Sequence, residues 1–428
     1  SKIKGVEKFL HKLYDAIQDI KETDKLGLDK INAIFSKTTK HPKFQRINVP
    51  FADPKPVNIN YKLQYLKPKD ISLVGSFGLI HGIQLPFNNI VDLNVTMPNE
   101  LVEKKDYLNY RAFHKRSFYL AYITRELLNS VGTNLSFLKF HYEYVNNDML
   151  TPSLRIDCVA NDVDNELNFH KSKFSIRLIA SFPFDAFDFK KLLPDKNNIR
   201  IQLPNEEDDQ LPPTPIYNAS LITNSTYDHY LKLLYKTKKQ VENFHDACVL
   251  GRLWLLQRGF KSGSFSHGGF GHFEFAVLMA LLLKGGGLDG NKILLSGFSS
   301  YQLFKGTVKY LATVDIAEHG YLSFHSNESI ANHVQYSTDG FHVPAIFDKT
   351  TKLNILWKMS IASYQLIKHE AQITLNLLNN DTKDTFDAIF LKKNDIPYLK
   401  YDLNIELPIP APKHSKDEKI SADNGTIE

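Results

Sequence analysis

The spacing of hydrophobic residues changes along the chain, and each spacing predicts a type of element. Apolar residues recur every three or four positions over residues 3–20, which predicts an amphipathic helix. Strand patterns then surround one long helical pattern at residues 106–129. The strand patterns lie at residues 57–65, 71–74, 90–95, 137–145, 153–159 and 174–181. This interleaving predicts a helical segment at residues 1–48 followed by a mixed α/β domain at residues 49–209.

The second half of the chain is mainly helical in pattern. Residues 227–258 read as helix with a break near Thr237, and one short strand is expected at residues 343–347. Further helical patterns lie at residues 274–284, 300–313 and 353–378. We therefore expect a second, helical domain at residues 210–380. The acidic run at residues 206–209 and the prolines after it mark the linker between the two domains.

The end of the chain returns to strand patterns, at residues 386–391 and 401–407, before a proline-rich polar tail. Residues 381–428 are too few for a core of their own. We interpret them as the start of a third α/β domain. The alternative is a simple extension that packs on the second domain.

Composition narrows the class of protein. Hydrophobic residues make up 43% of the chain, which supports a buried core and argues against wholesale disorder. No apolar run approaches the roughly 18 residues that a membrane-spanning helix needs. Two cysteines, Cys158 and Cys248, exclude a disulfide framework or a cysteine-rich zinc site. We expect a soluble, intracellular chain.

The charge is unevenly distributed. The chain has 52 Lys and Arg against 47 Asp and Glu, and residues 1–47 alone hold 11 basic and 6 acidic side chains. A basic N-terminal arm suits a polyanion, although a solvated helix face explains it more simply. The remaining residues balance at 41 against 41. We therefore expect protein contacts to dominate, with RNA contact local or supplied by partners.

A strand–turn–strand pattern carries the first candidate chemistry. Gly75 and Ser76 follow a strand and would offer backbone amides and a hydroxyl to a phosphate. The next strand presents Asp92 and Asn94 on one face, and Asp157 is a candidate third member. Carboxylates in this arrangement hold magnesium for phosphoryl transfer. Because Asn94 is neutral, the pattern indicates a nucleotidyl-transfer site with a broken metal platform.

Two further patterns are weaker. The glycine-rich turn at residues 268–276 is not a Walker loop, and close helix packing explains it better than ligand contact. On the helix at residues 106–129, basic and aromatic residues share one face, which suits RNA or an acidic partner. An exposed helix whose long side chains cover apolar surface explains this face equally well. Its members are Arg111, Lys115, Phe118, Tyr122 and Arg125.

No metal site or cofactor is predicted. The sixteen histidines include no His-x-x-x-His pair with an acid in place on a predicted helix. His267 and His272 lie in the glycine-rich turn without a cysteine nearby.

Several stretches together resemble the Nrap family of nucleolar proteins. They cover most of residues 49–380, and their order agrees with the family's. The stretches are residues 91–98 (VDLNVTMP), 105–111 (KDYLNYR), 113–116 (FHKR), 269–274 (GFGHFE), 299–305 (SSYQLFK) and 344–348 (PAIFD). The resemblance implies a nucleotidyltransferase-like palm domain followed by a helical domain like that of poly(A) polymerase and oligoadenylate synthetase.

The resemblance also implies a function. Family members act as non-catalytic scaffolds of the small-subunit processome in the nucleolus, and the chain would be a pseudo-nucleotidyltransferase with vestigial Gly75, Ser76, Asp92, Asn94 and Asp157. Its implied partners are a small protein with an RNA-recognition fold and casein kinase II. The alternatives are an active nucleotidyltransferase that acts on RNA 3′ ends, and a nucleotide or RNA 3′-end pocket without chemistry.

Overall fold

The structure is a computed structural model, and it describes the greater part of the chain. The described residues are 2–74, 89–131, 135, 137–159, 165–200, 211–263, 267–285, 292–314, 322–324, 346–348, 350–380, 382–391, 402–403, 405 and 426–427. Gly75 and Ser76, the acidic run at 206–209 and most of residues 392–428 lie outside this set. No helix in the described part is long and apolar enough to cross a membrane.

The N-terminal segment is helical, as its spacing predicts. Helix α1 (Lys2–Gln18) and helix α2 (Leu28–Phe35) precede a short strand, β1 (Arg46–Ile47). The strand predicted at residues 57–65 is wrong. Alternate side chains there are buried, including Leu63 and Tyr65. The backbone, however, forms only an isolated bridge with Leu26 in the described structure, so no ladder develops.

A five-stranded mixed sheet forms the centre of the first domain. Its strands are β2 (Asp70–Val74), β3 (Asn89–Thr96), β4 (Leu138–Tyr144), β5 (Pro152–Cys158) and β6 (Phe174–Ser181). The spatial order is β2-β3-β6-β5-β4, with only the β3–β6 pair parallel. The alternating apolar positions of these strands lie on one side, where helix α3 (Arg111–Asn129) packs against β5 and β6.

The second half is mainly helical, as predicted. Its helices are α4 (Pro215–Thr223), α5 (Tyr227–Gln240), α6 (Phe244–Gln257), α7 (His272–Lys284), α8 (Ser300–Thr313), α9 (Ile361–Leu378) and α10 (Phe386–Phe390). Helix α7 is almost entirely apolar and lies at the centre, in contact with α5, α6 and α8. Three short strands, β7 (Leu322–Phe324), β8 (Ile346–Asp348) and β9 (Leu353–Asn354), pair in that order.

Three predictions in this half need correction. The break near Thr237 falls slightly later, because α5 ends at Gln240 and α6 begins at Phe244. The helix predicted from residue 353 begins at Ile361, where the Ser360 side chain accepts a hydrogen bond from the Ser363 amide as an N-cap. Residues 386–390 form a helix and not a strand.

The glycine-rich turn is required by packing. Gly269 adopts a φ of +83°, and a Cβ atom there would lie 2.5 Å from the Met359 backbone. This close approach explains why glycine occupies the position. It agrees with the packing interpretation of residues 268–276.

Buried side chains of the two halves form one continuous core. Helix α4 begins at Pro215, the last proline of the predicted linker, and its Tyr217 hydroxyl donates to the Tyr107 carbonyl at 2.8 Å. The domain boundary at residue 209 and the third domain remain predictions. At the C-terminal end, strand β10 (Thr426–Ile427) pairs in parallel with β1.

Candidate functional site

One face of the sheet carries a row of charged side chains. Across four neighbouring strands, Asp92 pairs in register with Arg177, Arg177 with Arg155, and Arg155 with His141. Residues in register point to the same side of a sheet, so these groups share one face. The other face is apolar and belongs to the core.

The first aspartate of the predicted metal platform is held by an arginine. Arg177 Nε donates to Asp92 Oδ1 at 2.6 Å, and Arg177 Nη2 donates to Asp92 Oδ2 at 3.0 Å. Both side chains are more than four-fifths buried. Burial alone would lower the pKa of Arg177, but Asp92 and then Glu143 outweigh it and raise the pKa above its usual value. The guanidinium therefore stays charged and satisfies both oxygens of the carboxylate.

The side chain at the second position of the predicted metal platform is inaccessible to solvent. Asn94 is 1% exposed, and its Nδ2 donates to Thr96 Oγ1 at 3.4 Å. Its Oδ1 has no hydrogen-bond partner among the described residues. The Asn94 amide is therefore buried and contacts a residue of its own strand, β3.

Asp157 does not join Asp92, so its prediction as the third carboxylate is wrong. It lies on β5, and β6 separates that strand from β3. Its Oδ1 accepts from Arg155 Nε at 2.8 Å, and His141 Nδ1 lies 3.7 Å from its Oδ2. Burial would raise the pKa of Asp157, but hydrogen bonds from Ser175 and Arg155 hold it below its usual value.

Glu143 completes the charged row. Its carboxylate lies 3.6 Å from both Arg155 and Arg177. The two arginines on the inner strands are therefore flanked by Asp92 on β3 and by Glu143 on β4. Among the described residues, no group of three or more His, Cys, Asp or Glu is placed to hold a metal ion.

A cavity of about 160 Å³ lies between the charged row and the helical half. Asp92 and Arg177 line it from the sheet, Tyr227 and Tyr230 from α5, and Lys358 from the turn before α9. Pockets for small-molecule ligands are typically about 300–1,000 Å³. As bounded by the described residues, this cavity suits water or a small ion better than a nucleotide.

Several ionisable groups that line the cavity have pKa values shifted from their usual values. Burial, with Arg252 and Arg177 nearby, lowers the pKa of His272 to about 4. Burial also lowers the pKa of Lys358, which donates to the Asn146 carbonyl at 3.2 Å. Burial raises the pKa of Glu274, although hydrogen bonds from Ser262 (2.6 Å) and the Gly271 amide (2.8 Å) favour its charged form. Glu274 thus caps the start of α7.

The prediction of an exposed basic face on α3 is also wrong. Phe118 is completely buried and Lys115 is 6% exposed. The N-terminal segment covers this side of the helix. Tyr61 lies 4.7 Å from the Arg111 guanidinium, and Tyr65 packs beside Tyr122. Arg125 is partly buried and pairs with Glu126 at 2.6 Å.

The two arginines of the charged row were not recognised from the sequence. Arg155 and Arg177 lie among mostly buried residues on β5 and β6, which are both inner strands of the sheet. A charge in such a place has to be paired. That rule could have indicated Asp92 and Asp157 as their partners.

The fold and the site define the class of protein. A mixed α/β domain with a polar sheet face packs against a helical domain, and a cavity lies between them. Residues 32–240 match the family model described as Nrap protein domain 1, and residues 243–393 match the Nrap protein PAP/OAS-like domain. The chain therefore belongs to the Nrap family. The predicted family and fold class are confirmed.

Individual relatives agree with this assignment. The chain is 50% identical over 99% of its length to the U3 small nucleolar RNA-associated protein 22 of Saccharomyces cerevisiae, and covers 35% of that protein. It is 30% identical over 78% of its length to Nucleolar protein 6 of Xenopus tropicalis, and covers 28% of it. The chain spans about a third of these relatives. A crystal structure of the Cid1 poly(U) polymerase aligns with a TM-score of 0.45 at 12% identity, covering 90% of this chain and 98% of that one.

Proposed function

We propose that this chain is a non-catalytic scaffold in nucleolar assembly of the small ribosomal subunit, built on a degenerate nucleotidyltransferase module. Its relatives are named U3 small nucleolar RNA-associated protein 22 and Nucleolar protein 6. These names support a place in a nucleolar ribonucleoprotein. The Nrap resemblance further implies two protein partners, a small RNA-recognition-fold protein and casein kinase II.

The ion pair between Asp92 and Arg177 is the observation that supports a non-catalytic role. The position that faces Asp92 on the parallel neighbouring strand holds a cation, where a second metal ligand would need a negative charge. Magnesium relies on carboxylates and dehydrates reluctantly. Asn94 contributes no charge, and Asp157 is paired elsewhere. The described residues around Asp92 therefore do not fit a two-magnesium platform.

Isothermal titration with MgATP and MgUTP tests this proposal. We expect no magnesium-dependent heat from the wild type or from Asn94→Asp, because Arg177 remains in place in both. Asn379→Asp, on the exposed end of α9, is the matched control for the added charge. Magnesium-dependent binding by the wild type, followed by extension of an RNA primer, would contradict the proposal.

A second variant tests the reason for the loss. Asn94→Asp combined with Arg177→Asp would place three carboxylates on two adjoining strands. Magnesium-dependent nucleotide binding by this double variant, with an unchanged circular dichroism spectrum, would identify Arg177 as the blocking group. No binding by a folded double variant would mean that the cavity itself excludes the nucleotide.

The alternative function is a nucleotidyltransferase that binds nucleotides or acts on RNA 3′ ends. One observation favours it: the cavity keeps Asp92 and Asp148 beside Arg177 and Lys358. Asp148 already accepts a hydrogen bond from the Ser220 hydroxyl. The same titration decides between the two functions.

A further inference from the structure

The outer face of helix α5 combines basic and aromatic residues on an open surface. Lys232, Tyr235, Lys236 and Lys239 fall within an arc of about 100° at the helical step of about 100° per residue. All four are exposed, and Tyr235 is 47% exposed. The opposite face of α5 is buried and lines the cavity. Packing of α5 therefore fixes the direction in which these side chains point.

No acidic side chain of the described residues neutralises the three lysines. Lys232, Lys236 and Lys239 form no ion pair with the described part of the chain. Lys284, at the end of α7, adds a fourth cation close to Lys236: its pKa is lowered by burial and then by Lys236. Asp228 lies at the start of the same helix, but its carboxylate accepts a hydrogen bond from Ser72 at 3.0 Å.

Tyr235 adds an exposed aromatic ring to the basic face of α5. The Lys239 ammonium lies 4.5 Å from the centre of its ring. Proteins that bind single-stranded nucleic acid combine cations that follow the phosphates with aromatic rings on which bases stack. Successive lysines here are three or four residues apart, which places them about 4.5–6 Å apart along the helix axis. The lysines alone would also suit an acidic protein surface; the exposed ring among them favours single-stranded nucleic acid, because every base has a face that can stack on it.

We propose that the outer face of α5 binds single-stranded RNA, with Lys232, Lys236 and Lys239 on the phosphates and Tyr235 stacked on a base. The inference deepens the proposed function, on which it rests, by naming the nucleic acid and the surface. It uses neither the charged row nor the cavity. Its test contains no nucleoside triphosphate and no magnesium, so its failure is distinguishable from failure of the proposed function.

The test is fluorescence anisotropy with a labelled 20-nucleotide single-stranded RNA at several salt concentrations. The variant Lys232→Ala/Lys236→Ala/Lys239→Ala should bind at least about tenfold more weakly near physiological salt. The slope of log K against log salt should fall by about 2, because each single-strand phosphate contact contributes about 0.7. Tyr235→Ala should weaken binding about fivefold or more without changing that slope.

The matched control is Lys190→Ala/Lys309→Ala/Lys383→Ala, which removes three exposed lysines from separate parts of the surface. It should bind RNA within about twofold of the wild type. Equal losses in both triple variants would overturn the proposal, because binding would then follow net charge alone. Binding of a poly-glutamate peptide to this face without RNA binding would overturn it in favour of an acidic protein partner. Circular dichroism checks that each variant is folded.

Discussion

Helices α3 and α5 share a sequence pattern and use it in opposite ways. Both carry basic and aromatic residues on one face at helical spacing. On α3, Phe118 is completely buried and Lys115 is 6% exposed. On α5, Tyr235 is 47% exposed and Lys236 is open to solvent. The pattern alone therefore does not distinguish a covered face from a binding face.

The difference comes from a segment that is distant in sequence. Residues before the sheet lie over α3: Phe35 packs edge-on against Phe118, and Tyr65 stacks on Tyr119. Charged groups on α3 also find partners on the side that faces the sheet. Arg116 donates to the Ala180 carbonyl on β6 and to the Pro152 carbonyl on β5, each at 2.7 Å. Nothing in the described structure covers the outer face of α5 in this way.

The largest effect that separates the two helices should come from their aromatic residues. Phe118→Ala removes a completely buried ring and leaves a cavity, so we expect a loss of about 3–5 kcal/mol in the free energy of unfolding. Tyr235→Ala on the open face should change it by no more than about 0.5 kcal/mol. Urea unfolding of the two variants measures both values. Equal losses would mean that α5 is covered as fully as α3.

The sequence predicts the helices and strands of this protein better than it predicts which residues pack against them. Strand patterns locate β3 and β6 because apolar residues alternate with polar ones at residues 91–96 and 174–178. Helix α8 has the predicted bounds because Ser299 and Gln302 form a capping box at its start. The helix predicted from residue 353 starts late, since apolar spacing continues through β9 and the turn before α9.

The candidate site shows the same limit. Asp92 and Asn94 were identified from local spacing, and both lie on β3 as expected. The partner of Asp92 could not be identified in that way. Arg177 follows 85 positions later, and only the strand order β3-β6 brings it into register. Strand order depends on packing of the whole sheet, which no local pattern contains.

A smaller effect should come from the lysines. Lys115 Nζ lies 2.6 Å from the buried carboxylate of Asp106, so Lys115→Met leaves that carboxylate without its nearest cation. Arg111 at 3.2 Å and the Glu103 amide at 2.8 Å still contact Asp106. We therefore expect a loss of about 2 kcal/mol, below the 3–5 kcal/mol of a fully orphaned buried charge. Lys236→Met should be nearly neutral in the same urea unfolding experiment. No loss of stability in Lys115→Met would show that Arg111 and the Glu103 amide are enough to satisfy Asp106.

The smallest effect is a dependence on pH that α3 should show through His114. Its Nε2 lies 2.9 Å from the Pro54 carbonyl, and its Nδ1 contacts the Tyr61 hydroxyl. Burial lowers the pKa of His114 below its unfolded value of about 6.5. Below that pH the unfolded chain binds more protons, so stability is lost as the pH falls from about 6.5 toward the folded pKa.

His114→Gln keeps a donor for the Pro54 carbonyl and removes the titration. Between pH 7 and pH 5 the variant should therefore lose less unfolding free energy than the wild type, measured by urea unfolding at each pH. His41 and His272, whose pKa values burial lowers to about 4, are present in both proteins, so their contributions cancel in the comparison. His11→Gln, on the exposed face of α1, controls for the loss of a histidine. Identical pH dependence in wild type and His114→Gln would mean that the N-terminal segment opens and lets His114 take up its proton in the folded chain. The cover that distinguishes α3 from α5 would then be a mobile one.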